Sequence, residues 1–278
     1  MPDRFVHLKS TALAPEARDT PILVRDWGTA QGKPLVVLHG GWGYGIYPFD
    51  SQVAALKSHY RILIPDRTGY GRSGALDLQR SDFHQRAADE TFAVLDALGI
   101  GCAALWGHSD GAVIALRMAL MSPSRVAAVI AEATHFFRSK PHSRGFFETM
   151  QNRPEDLGAR VTASLAAEHG SRWRHLIHIN GMAWLQIAEA APTGEADLYD
   201  GKLGQLTVPT LLVHGGLDPR AEPGEFDQIV ATLRRSLQQD LQVLMLDAGG
   251  HSPHSERANA DAVTAAAAAF LSTARKSP

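Results

Sequence analysis

The chain has 278 residues, of which 45% are hydrophobic and 20% are charged, an ordinary globular composition that excludes a disordered or fibrous chain. Lysine and arginine number 27 and aspartate and glutamate 29, so the formal net charge is −2. This balance argues against nucleic acid as the main partner, since phosphate binding needs a basic surface. The single cysteine, Cys102, excludes an intrachain disulfide and a thiolate metal cluster.

The N-terminal sequence carries no recognisable targeting signal. It reads Met-Pro-Asp-Arg-Phe-Val-His, with neither an apolar segment nor a small-residue cleavage site. No run of 18 apolar residues occurs, which argues against a membrane span. We therefore expect a cytoplasmic protein that does not bind membranes, and the sequence leaves its oligomeric state open.

Short apolar runs alternate with longer helix-like segments. In chain order, the first half predicts strands Phe5–Ser10, Ile22–Trp27 and Leu35–Leu38, helix Phe49–Ser58, strand Ile62–Ile64, helix Asp82–Leu98 with Ser81 as N-cap, strand Ala103–Trp106 and helix Asp110–Met121. The second half predicts strand Val126–Ala131, strand Pro209–Val213, helix Glu225–Leu237, strand Val243–Leu246 and helix Ala258–Leu271. Near-continuous apolar strands separated by helices predict an α/β fold with a mostly parallel eight-stranded sheet and helices on both faces.

One region breaks this alternation. After the sixth strand only helix-like stretches are predicted up to Leu206, of which Trp173–Glu189 is the longest. We therefore expect a helical insertion at residues 135–205. The core is then formed by residues 1–134 and 206–278.

A candidate nucleophile lies in the segment Gly107-His108-Ser109-Asp110-Gly111, which follows a predicted strand and opens a predicted helix. In this G-x-S-x-G pattern the turn is so tight that both glycines are needed, and the serine oxygen is presented outward beside the helix N-terminus. The pattern predicts that Ser109 is a nucleophile. The alternative is that its side chain only caps the helix.

A serine nucleophile needs a base, and the base needs an acid that orients it. His251 directly follows the last predicted strand and is the preferred base, because its competitor His254 is expected inside the start of the final helix. Asp218 follows the preceding strand and is the preferred acid, although a turn aspartate before Pro219 is the alternative interpretation. Glu132, at the end of the sixth strand, is the second candidate acid.

A glycine loop, His39-Gly40-Gly41-Trp42, follows the third predicted strand. Its backbone amides, together with the amide of Asp110, can point at the oxyanion that develops on an attacked carbonyl. Trp42 is the first candidate donor in the loop and Gly41 the second. An ordinary glycine turn is the alternative.

These motifs together resemble the α/β-hydrolase family. A further match is Asp66–Ser73, whose sequence D-R-T-G-Y-G-R-S is similar to the D-x-x-G-x-G-x-S loop that follows the fourth strand in the family and has a structural role. The resemblance extends from Ile22 to Leu271. It implies the α/β-hydrolase fold, a working Ser-His-Asp triad, and an insertion in the position of the family's cap domain.

The nucleophile segment is most similar to one branch of the family. Ser109-Asp110-Gly111 looks like the biphenyl-hydrolase-like and valacyclovir-type esterases, which suggests an acidic side chain that can meet a substrate amino group. A structural role of Asp110 in the first helical turn is the alternative. The C–C bond hydrolases carry Asn before the serine and Gly-Gly after it, where this chain has His108 and Gly111-Ala112. Dehalogenases and epoxide hydrolases carry Asp as the nucleophile, and Ser109 argues against both.

The sequence therefore predicts a hydrolase that cleaves a small carboxylic ester through an acyl-enzyme on Ser109, with no cofactor. Lactone, C–C bond or amide hydrolysis by the same triad are the enzymatic alternatives, and a ligand receptor built on a retained hydrolase fold is the non-enzymatic one. No metal site is expected, because His175 and His178 have a zinc-like spacing but no third ligand beside them.

The substrate pocket is the least predictable part of the site. We expect His108 of the nucleophile segment and Phe136, Phe137 and Trp184 of the insertion to line it. The alternative is that these aromatic side chains only form a small core within the insertion. The physiological substrate cannot be deduced from the sequence.

Overall fold

A computed structural model describes residues 3–191 and 193–273, and the strands in that part of the chain form one eight-stranded sheet. The strands are β1 (Arg4–Leu8), β2 (Thr20–Gly28), β3 (Lys33–Leu38), β4 (Tyr60–Pro65), β5 (Ala103–His108), β6 (Val126–Glu132), β7 (Thr210–Gly215) and β8 (Leu241–Leu246). They lie in the order β1-β2-β4-β3-β5-β6-β7-β8. The β1–β2 and β2–β4 pairs are antiparallel and the remaining pairs are parallel. The predicted mostly parallel sheet is therefore confirmed.

Helices cover both faces of this sheet, as predicted. Within the described residues they are α1 (Asp50–Leu56), α2 (Phe83–Ala97), α3 (Asp110–Met121), α4 (Arg144–Asn152), α5 (Ala159–His169), α6 (Trp173–Glu189), α7 (Glu225–Leu237) and α8 (Ala260–Thr273). Apolar side chains of α1 and α8 pack in one hydrophobic cluster, and those of α2, α3 and α7 pack in the other. Strand β5 lies between the two layers and is buried along its whole length. Successive residues Leu105 and Trp106 accordingly belong to opposite clusters.

The observed ends of the elements differ from the predicted ones by a few residues, and one predicted cap is wrong. Helix α2 begins at Phe83 rather than Asp82, and Ser81 does not cap it. Asp82 is the residue before the helix, and its side chain makes no capping hydrogen bond. Instead its carboxylate accepts a hydrogen bond from Arg86 Nε at 2.7 Å, one turn further along.

The segment between β6 and β7 contains helices α4, α5 and α6 and no strand of the sheet. Helices α4 and α6 pack closely at Gly181, which has no side chain. A Cβ atom there would lie 2.6 Å from the carbonyl oxygen of Phe147. An isolated antiparallel bridge joins Phe137 to Asp197 within this segment. None of the helices in the described chain is long and apolar enough to cross a membrane.

Candidate active site

Ser109 occupies the sharp turn between β5 and α3. Its backbone has φ 55° and ψ −121°, a conformation that is strained for a residue with a side chain. A Cβ atom on Gly107 would lie 2.1 Å from the carbonyl oxygen of Gly111, and one on Gly111 would lie 2.0 Å from that of Leu38. Both glycines are therefore required for this turn, as the sequence pattern predicts.

The structure brings Ser109, His251 and Asp218 together in one chain of hydrogen bonds. Ser109 Oγ lies 3.0 Å from His251 Nε2. The other ring nitrogen, His251 Nδ1, lies 2.9 and 2.8 Å from the two carboxylate oxygens of Asp218. The Asp218 side chain is 1% exposed and the His251 side chain 18%. This is the order in which a serine, a histidine and a carboxylate can act as nucleophile, base and orienting acid in acyl transfer.

The loops that carry the acid and the histidine follow β7 and β8, which are neighbouring parallel strands. Their backbones touch, since the amide of Leu217 donates to the carbonyl of Gly249 at 2.8 Å. A Cβ atom on Gly215 would lie 2.1 Å from the carbonyl oxygen of Gly250. The glycines in both loops therefore allow the approach that brings acid and base into contact.

The environment of Asp218 keeps its carboxyl group ionised. Burial alone would raise the pKa of Asp218, but the charge and the hydrogen bond of His251 outweigh it and lower the pKa to about 2. The amide of Arg220 adds a hydrogen bond to Oδ1 at 2.8 Å. An ionised carboxylate only accepts, so the neutral imidazole carries its proton on Nδ1 and offers Nε2 as the acceptor for the Ser109 hydroxyl.

Glu132, the second candidate acid, belongs to a different pair. Its Oε1 lies 2.7 Å from His254 Nδ1 and accepts the His254 amide at 2.9 Å, and its Oε2 accepts from Trp106 Nε1 at 3.2 Å. His254 lies in the short 3-10 turn Pro253–Ser255 and not in the final helix, which corrects the expectation from the sequence. The reason is that Glu132 holds both the amide and the ring of His254 in the loop. The far nitrogen, Nε2, faces the carbonyl oxygen of Tyr47 at 3.0 Å.

The glycine loop after β3 packs directly against the nucleophile. A Cβ atom on Gly40 would lie 3.2 Å from Ser109 Cβ, and one on Gly41 would lie 2.7 Å from Asp110 Oδ2. A side chain at position 40 would therefore be in unusually tight contact with Ser109, and one at position 41 would have to displace the Asp110 carboxylate.

The three predicted oxyanion-hole residues, Gly41, Trp42 and Asp110, all line the same cavity as Ser109. In helix α3 the amide of Ala112 is bonded back to Ser109 O at 2.8 Å. The amide of Asp110 comes before this ladder, at the first residue of the helix, where no carbonyl one turn earlier in the helix is available to it. Such amides are suitable donors for an oxyanion.

Arg67 holds the backbone of the glycine loop by hydrogen bonds. Its guanidinium group donates to the carbonyl oxygens of His39 at 2.5 Å and Gly40 at 2.9 Å, and its amide donates to His39 Nε2 at 3.2 Å. Arg67 lies in the D-R-T-G-Y-G-R-S segment, so its structural role agrees with the role expected for that loop.

A second support for the loop comes from the insertion. His169, the last residue of α5, lies with Nε2 2.8 Å from the carbonyl oxygen of Trp42, and its Nδ1 accepts the amide of Gly71 at 2.9 Å. Burial is the main cause that lowers the pKa of His169, which favours the neutral form this bonding needs. No sequence pattern indicates this contact, because His169 is remote from both loops in the chain.

Ser109 and His251 open onto a cavity of about 350 Å³, a size typical of small-molecule sites. Its aromatic and apolar lining includes Trp42, Tyr47, Phe146, Phe147, Met150 and Trp184. Its polar lining includes Asp110, His135, Asn180, Arg220 and Glu256. The cavity therefore combines a mainly aromatic wall with a few polar groups near the nucleophile.

Two of the four residues predicted to line the pocket do so, namely His108 and Trp184. Phe136 and Phe137 are not among the lining residues, which corrects the expectation for both. Their backbone amides both donate to Glu225 Oε1, at 2.7 and 3.0 Å, and the ring of Phe136 packs against Tyr199. Glu225 thus fixes the backbone at both positions, and neither side chain contributes to the cavity lining.

The Asp110 side chain is buried, its two carboxylate oxygens have different surroundings, and a hydrogen bond from the Asn180 side chain helps to lower its pKa. Its Oδ1 lies 3.1 Å from His84 Nε2 and accepts from Trp184 Nε1 at 3.2 Å. Its Oδ2 has no hydrogen-bond partner among the described residues. Burial alone would raise the pKa of Asp110, but the hydrogen bond and charge of His84, aided by Arg67, lower it. The structure thus places an ionised carboxylate in the cavity wall.

The described residues contain no group of three or more side chains that could hold a metal ion. His175 Nε2 lies 3.2 Å from the carbonyl oxygen of Leu76, and His178 Nδ1 lies 2.6 Å from that of Gln151. Each of the two histidines thus has a backbone partner of its own.

Residues 35–266 match the model of the Alpha/beta hydrolase family. The chain belongs to the α/β-hydrolase family. This membership agrees with the mostly parallel eight-stranded sheet that carries helices on both faces.

Two relatives of this hydrolase match most of its length. It is 28% identical over 242 residues to the pimeloyl-[acyl-carrier protein] methyl ester esterase of Nitrosospira multiformis, covering 80% of this chain and 89% of the relative. It is 27% identical over 216 residues to 3-oxoadipate enol-lactonase 1 of Acinetobacter baylyi, covering 71% and 77%. A thermophilic esterase from Thermogutta terrifontis has the same fold, with a TM-score of 0.71 at 20% identity over 98% of this chain and all of that one.

Proposed function

We propose that this hydrolase cleaves small carboxylic esters through an acyl-enzyme on Ser109. Ser109 Oγ attacks the ester carbonyl carbon while its proton passes to His251 Nε2. The tetrahedral intermediate then collapses, and the leaving alkoxide takes that proton from His251 and departs as the alcohol. Water attacks the acyl-enzyme in the second half, with His251 as base and then acid, and releases the carboxylic acid.

The observation that carries this proposal is the hydrogen-bond chain from Ser109 through His251 to the buried Asp218. Ser109 and His251 lie in the wall of an aromatic cavity. The ionised Asp218 holds the imidazole in one tautomer and stabilises the imidazolium that forms. The amides of Trp42 and Asp110, with Gly41 as the second candidate in the loop, bind the oxyanion.

Lactone hydrolysis is a second candidate, favoured by the similarity to an enol-lactonase. The chemistry at Ser109 is the same, but the alcohol stays attached to the acyl group and the product is one hydroxy acid. Matched pairs of open-chain and cyclic esters with equal carbon number separate the two activities.

Turnover of short p-nitrophenyl esters tests the proposal directly. We expect release of nitrophenol over many turnovers, and a fluorophosphonate adduct that peptide mass spectrometry locates on Ser109. A ligand receptor on a hydrolase fold would bind such esters without turnover. Ester turnover without an adduct on Ser109 would contradict the acyl-enzyme mechanism.

We further propose that residues 135–205 act as a cap over the core formed by residues 1–134 and 206–278, and that the cap selects the substrate. The support is that Phe146, Phe147 and Trp184 of this segment line the cavity that contains Ser109.

Trp184→Ala should therefore shift the preference among esters of graded acyl length. Phe137→Ala is the matched control, since its ring lies in the same segment but away from the cavity, and it should leave the preference unchanged. Equal shifts in both variants would contradict the proposal.

A further inference from the structure

His135 is a buried polar side chain beside the nucleophile that the reaction above does not use. It follows β6 closely, is 4% exposed and lines the cavity. Its Nε2 lies 3.5 Å from Ser109 Oγ. Its ring stacks with that of His251 at 5.8 Å between centroids and meets Trp184 edge-on at 5.2 Å. A polar group is therefore held next to the reacting atoms in mainly aromatic surroundings.

The other ring nitrogen of His135 faces a buried ammonium group. Lys140 Nζ lies 3.2 Å from His135 Nδ1 and also donates to Glu225 Oε1. The side chains of Lys140 and Glu225 are each 1% exposed. An ammonium group has three donors and no acceptor, so Nδ1 accepts and the proton of the neutral ring lies on Nε2. The ring thus directs an N–H group toward Ser109 and the cavity.

Glu225 is the acidic partner of this buried ammonium group. Its Oε1 also accepts the amides of Phe136 and Phe137, at 2.7 and 3.0 Å, and its Oε2 accepts the amide of Glu222 at 2.9 Å. Four donors, including Lys140 Nζ, are thus directed at the two carboxylate oxygens of Glu225. Burial lowers the pKa of Lys140, and the charge and hydrogen bond of Glu225 oppose this.

The surroundings of His135 disfavour its protonated form. Burial first, and then the charge of Lys140, lower the pKa of His135 well below its usual value. Positive charge on the neighbouring His251, His84 or His108 would lower it further. A ring that stays neutral and keeps its tautomer does not act as an acid or a base. It is a permanent hydrogen-bond donor.

The His135 N–H group needs an acceptor on the substrate, and the two oxygens of the reacting ester group already have other partners. The carbonyl oxygen is bound by the oxyanion amides, and the alkoxy oxygen has to face His251 to receive its proton. The carbon next to the scissile carbonyl lies two bonds from Ser109 Oγ in the acyl-enzyme. An oxygen on that carbon is within reach of a nitrogen 3.5 Å from the same Oγ.

We propose that His135 is a substrate-binding residue whose Nε2–H group donates to an oxygen on the carbon beside the scissile carbonyl. The favoured substrates are then 2-hydroxy, 2-alkoxy or 2-oxo acid esters. Lys140 and Glu225 are positioning residues that fix the tautomer. This proposal rests on the ester hydrolysis proposed above and names its substrate class.

Two esters of equal length test the proposal, p-nitrophenyl methoxyacetate and p-nitrophenyl butanoate. The ratio of their kcat/KM values is measured in the wild type, His135→Phe and His135→Gln. The ratio should fall about tenfold in His135→Phe, because the acceptor loses its donor, and should be largely retained in His135→Gln, whose amide can donate. The effect of the oxygen on intrinsic ester reactivity cancels, since the same two esters are compared across variants.

An unchanged ratio, or an equal loss of both esters in His135→Phe, would overturn the proposal while leaving ester hydrolysis intact. Absent turnover of both esters in the wild type would instead overturn the proposed function, and this proposal with it. The two failures are thus distinguishable.

Nitrogen-15 NMR of histidine-labelled protein gives a readout that does not depend on turnover. The His135 signals, assigned by their loss in His135→Phe, should show the Nε2–H tautomer between about pH 5 and 8. In the double variant Lys140→Met/Glu225→Gln, which removes both buried charges together, the ring should show a mixture of tautomers and titrate at higher pH. A proton on Nδ1 in the wild type would overturn the proposal.

Discussion

Two carboxylate–histidine pairs lie at the same edge of the sheet and have nearly the same bond length. Asp218 and His251 are separated by 2.8 Å, and Glu132 and His254 by 2.7 Å. In both pairs the histidine Nδ1 faces the carboxylate. The difference lies in the far nitrogen, since Nε2 of His251 reaches Ser109 Oγ whereas Nε2 of His254 reaches a backbone carbonyl.

Their surroundings differ in the same sense. The His254 side chain is fully buried, and its ring stacks on Phe49 with 3.8 Å between centroids. The His251 side chain keeps 18% exposure at the cavity wall. A carboxylate–histidine pair is therefore a candidate for catalysis only when its far nitrogen faces a nucleophile and a space for substrate. Without these, the same pair is a buried link between loops.

Under the proposed mechanism, the largest expected effect comes from replacing Ser109 or a member of the Asp218–His251 pair. Ser109→Ala and His251→Ala should each lower kcat by on the order of 10⁴ or more, and the double variant should lose little beyond either one, because the residues act as a unit. Asp218→Asn should also be strongly impaired, since the imidazole loses its orientation. Steady-state kinetics with p-nitrophenyl esters measures all four. Full activity of Ser109→Ala would exclude the covalent mechanism.

The buried pair should respond in stability rather than in activity. His254→Phe leaves the Glu132 carboxylate buried without its partner, which should cost about 3–5 kcal/mol in the free energy of unfolding. Urea denaturation measures this loss, and kcat of the folded fraction should remain near that of the wild type. Glu132→Gln is the companion variant, in which the amide oxygen can still accept from the His254 ring and amide while the NH2 group faces the Trp106 N–H. A severe loss of kcat in Glu132→Gln beside a mild one in Asp218→Asn would reverse the assignment of the acid.

Acid pH should separate the contributions of the two carboxylates. The pKa of Asp218 is lowered to about 2, so the unfolded chain, with its higher pKa, binds the proton first as the pH falls. The ionised Asp218 therefore adds about 2 kcal/mol to the free energy of unfolding above about pH 4. This contribution is lost as the pH falls toward 2. The pKa of Glu132 is lowered as well, because the charge and bonds of His254 outweigh burial, so its contribution has the same sign.

Unfolding free energies of the wild type and Asp218→Asn, measured at several pH values between about 5 and 3, check this expectation. The stability difference between the two proteins should shrink as the pH falls. A difference that stays constant over this range would show that the native state does not hold the Asp218 charge more tightly than the unfolded chain does. Glu132→Gln provides the parallel measurement for the other pair.

Much of the site is predictable because its residues occupy the turns that follow buried strands. Apolar runs identify the strands, and parallel pairing brings their carboxyl ends to one edge of the sheet, so the loops of Ser109, Asp218 and His251 converge there. The glycines at positions 107 and 111 have a local signature, since nothing larger fits between strand and helix. The fold class follows from the same alternation of strands and helices.

The remainder depends on contacts between segments that are remote in the chain. His169, at the end of α5, makes a hydrogen bond to the Trp42 carbonyl. Lys140, in the loop before α4, donates a hydrogen bond to Glu225 at the start of α7. No local pattern encodes such meetings. The wrong prediction for Phe136 and Phe137 has the same origin. Their aromatic character suggests pocket residues, but their backbone is held by hydrogen bonds to Glu225, which is remote in the sequence.

A third carboxylate–histidine pair, Asp110 with His84, extends the comparison and carries the smallest effect. Here one carboxylate oxygen is bonded and the other, Oδ2, has no partner among the described residues although Asp110 lines the cavity. A buried and unsatisfied carboxylate oxygen is costly, so a cationic group on the substrate would be favoured at this position. We therefore expect the wild type to prefer an aminoacyl ester over its des-amino analogue.

The preference should be about 1.5 kcal/mol, close to tenfold in kcat/KM, as for one charge-assisted hydrogen bond. Asp110→Asn should lose it, because the amide has the same shape but no charge, while its backbone amide remains available to the oxyanion. Competition between the two esters in one reaction measures the ratio without errors from enzyme concentration. If the variant hydrolyses both esters more slowly by the same factor, Asp110 only supports the turn at Ser109 through His84 and Trp184. In that case the third pair resembles the buried Glu132–His254 pair, since its carboxylate holds the fold and does not select the substrate.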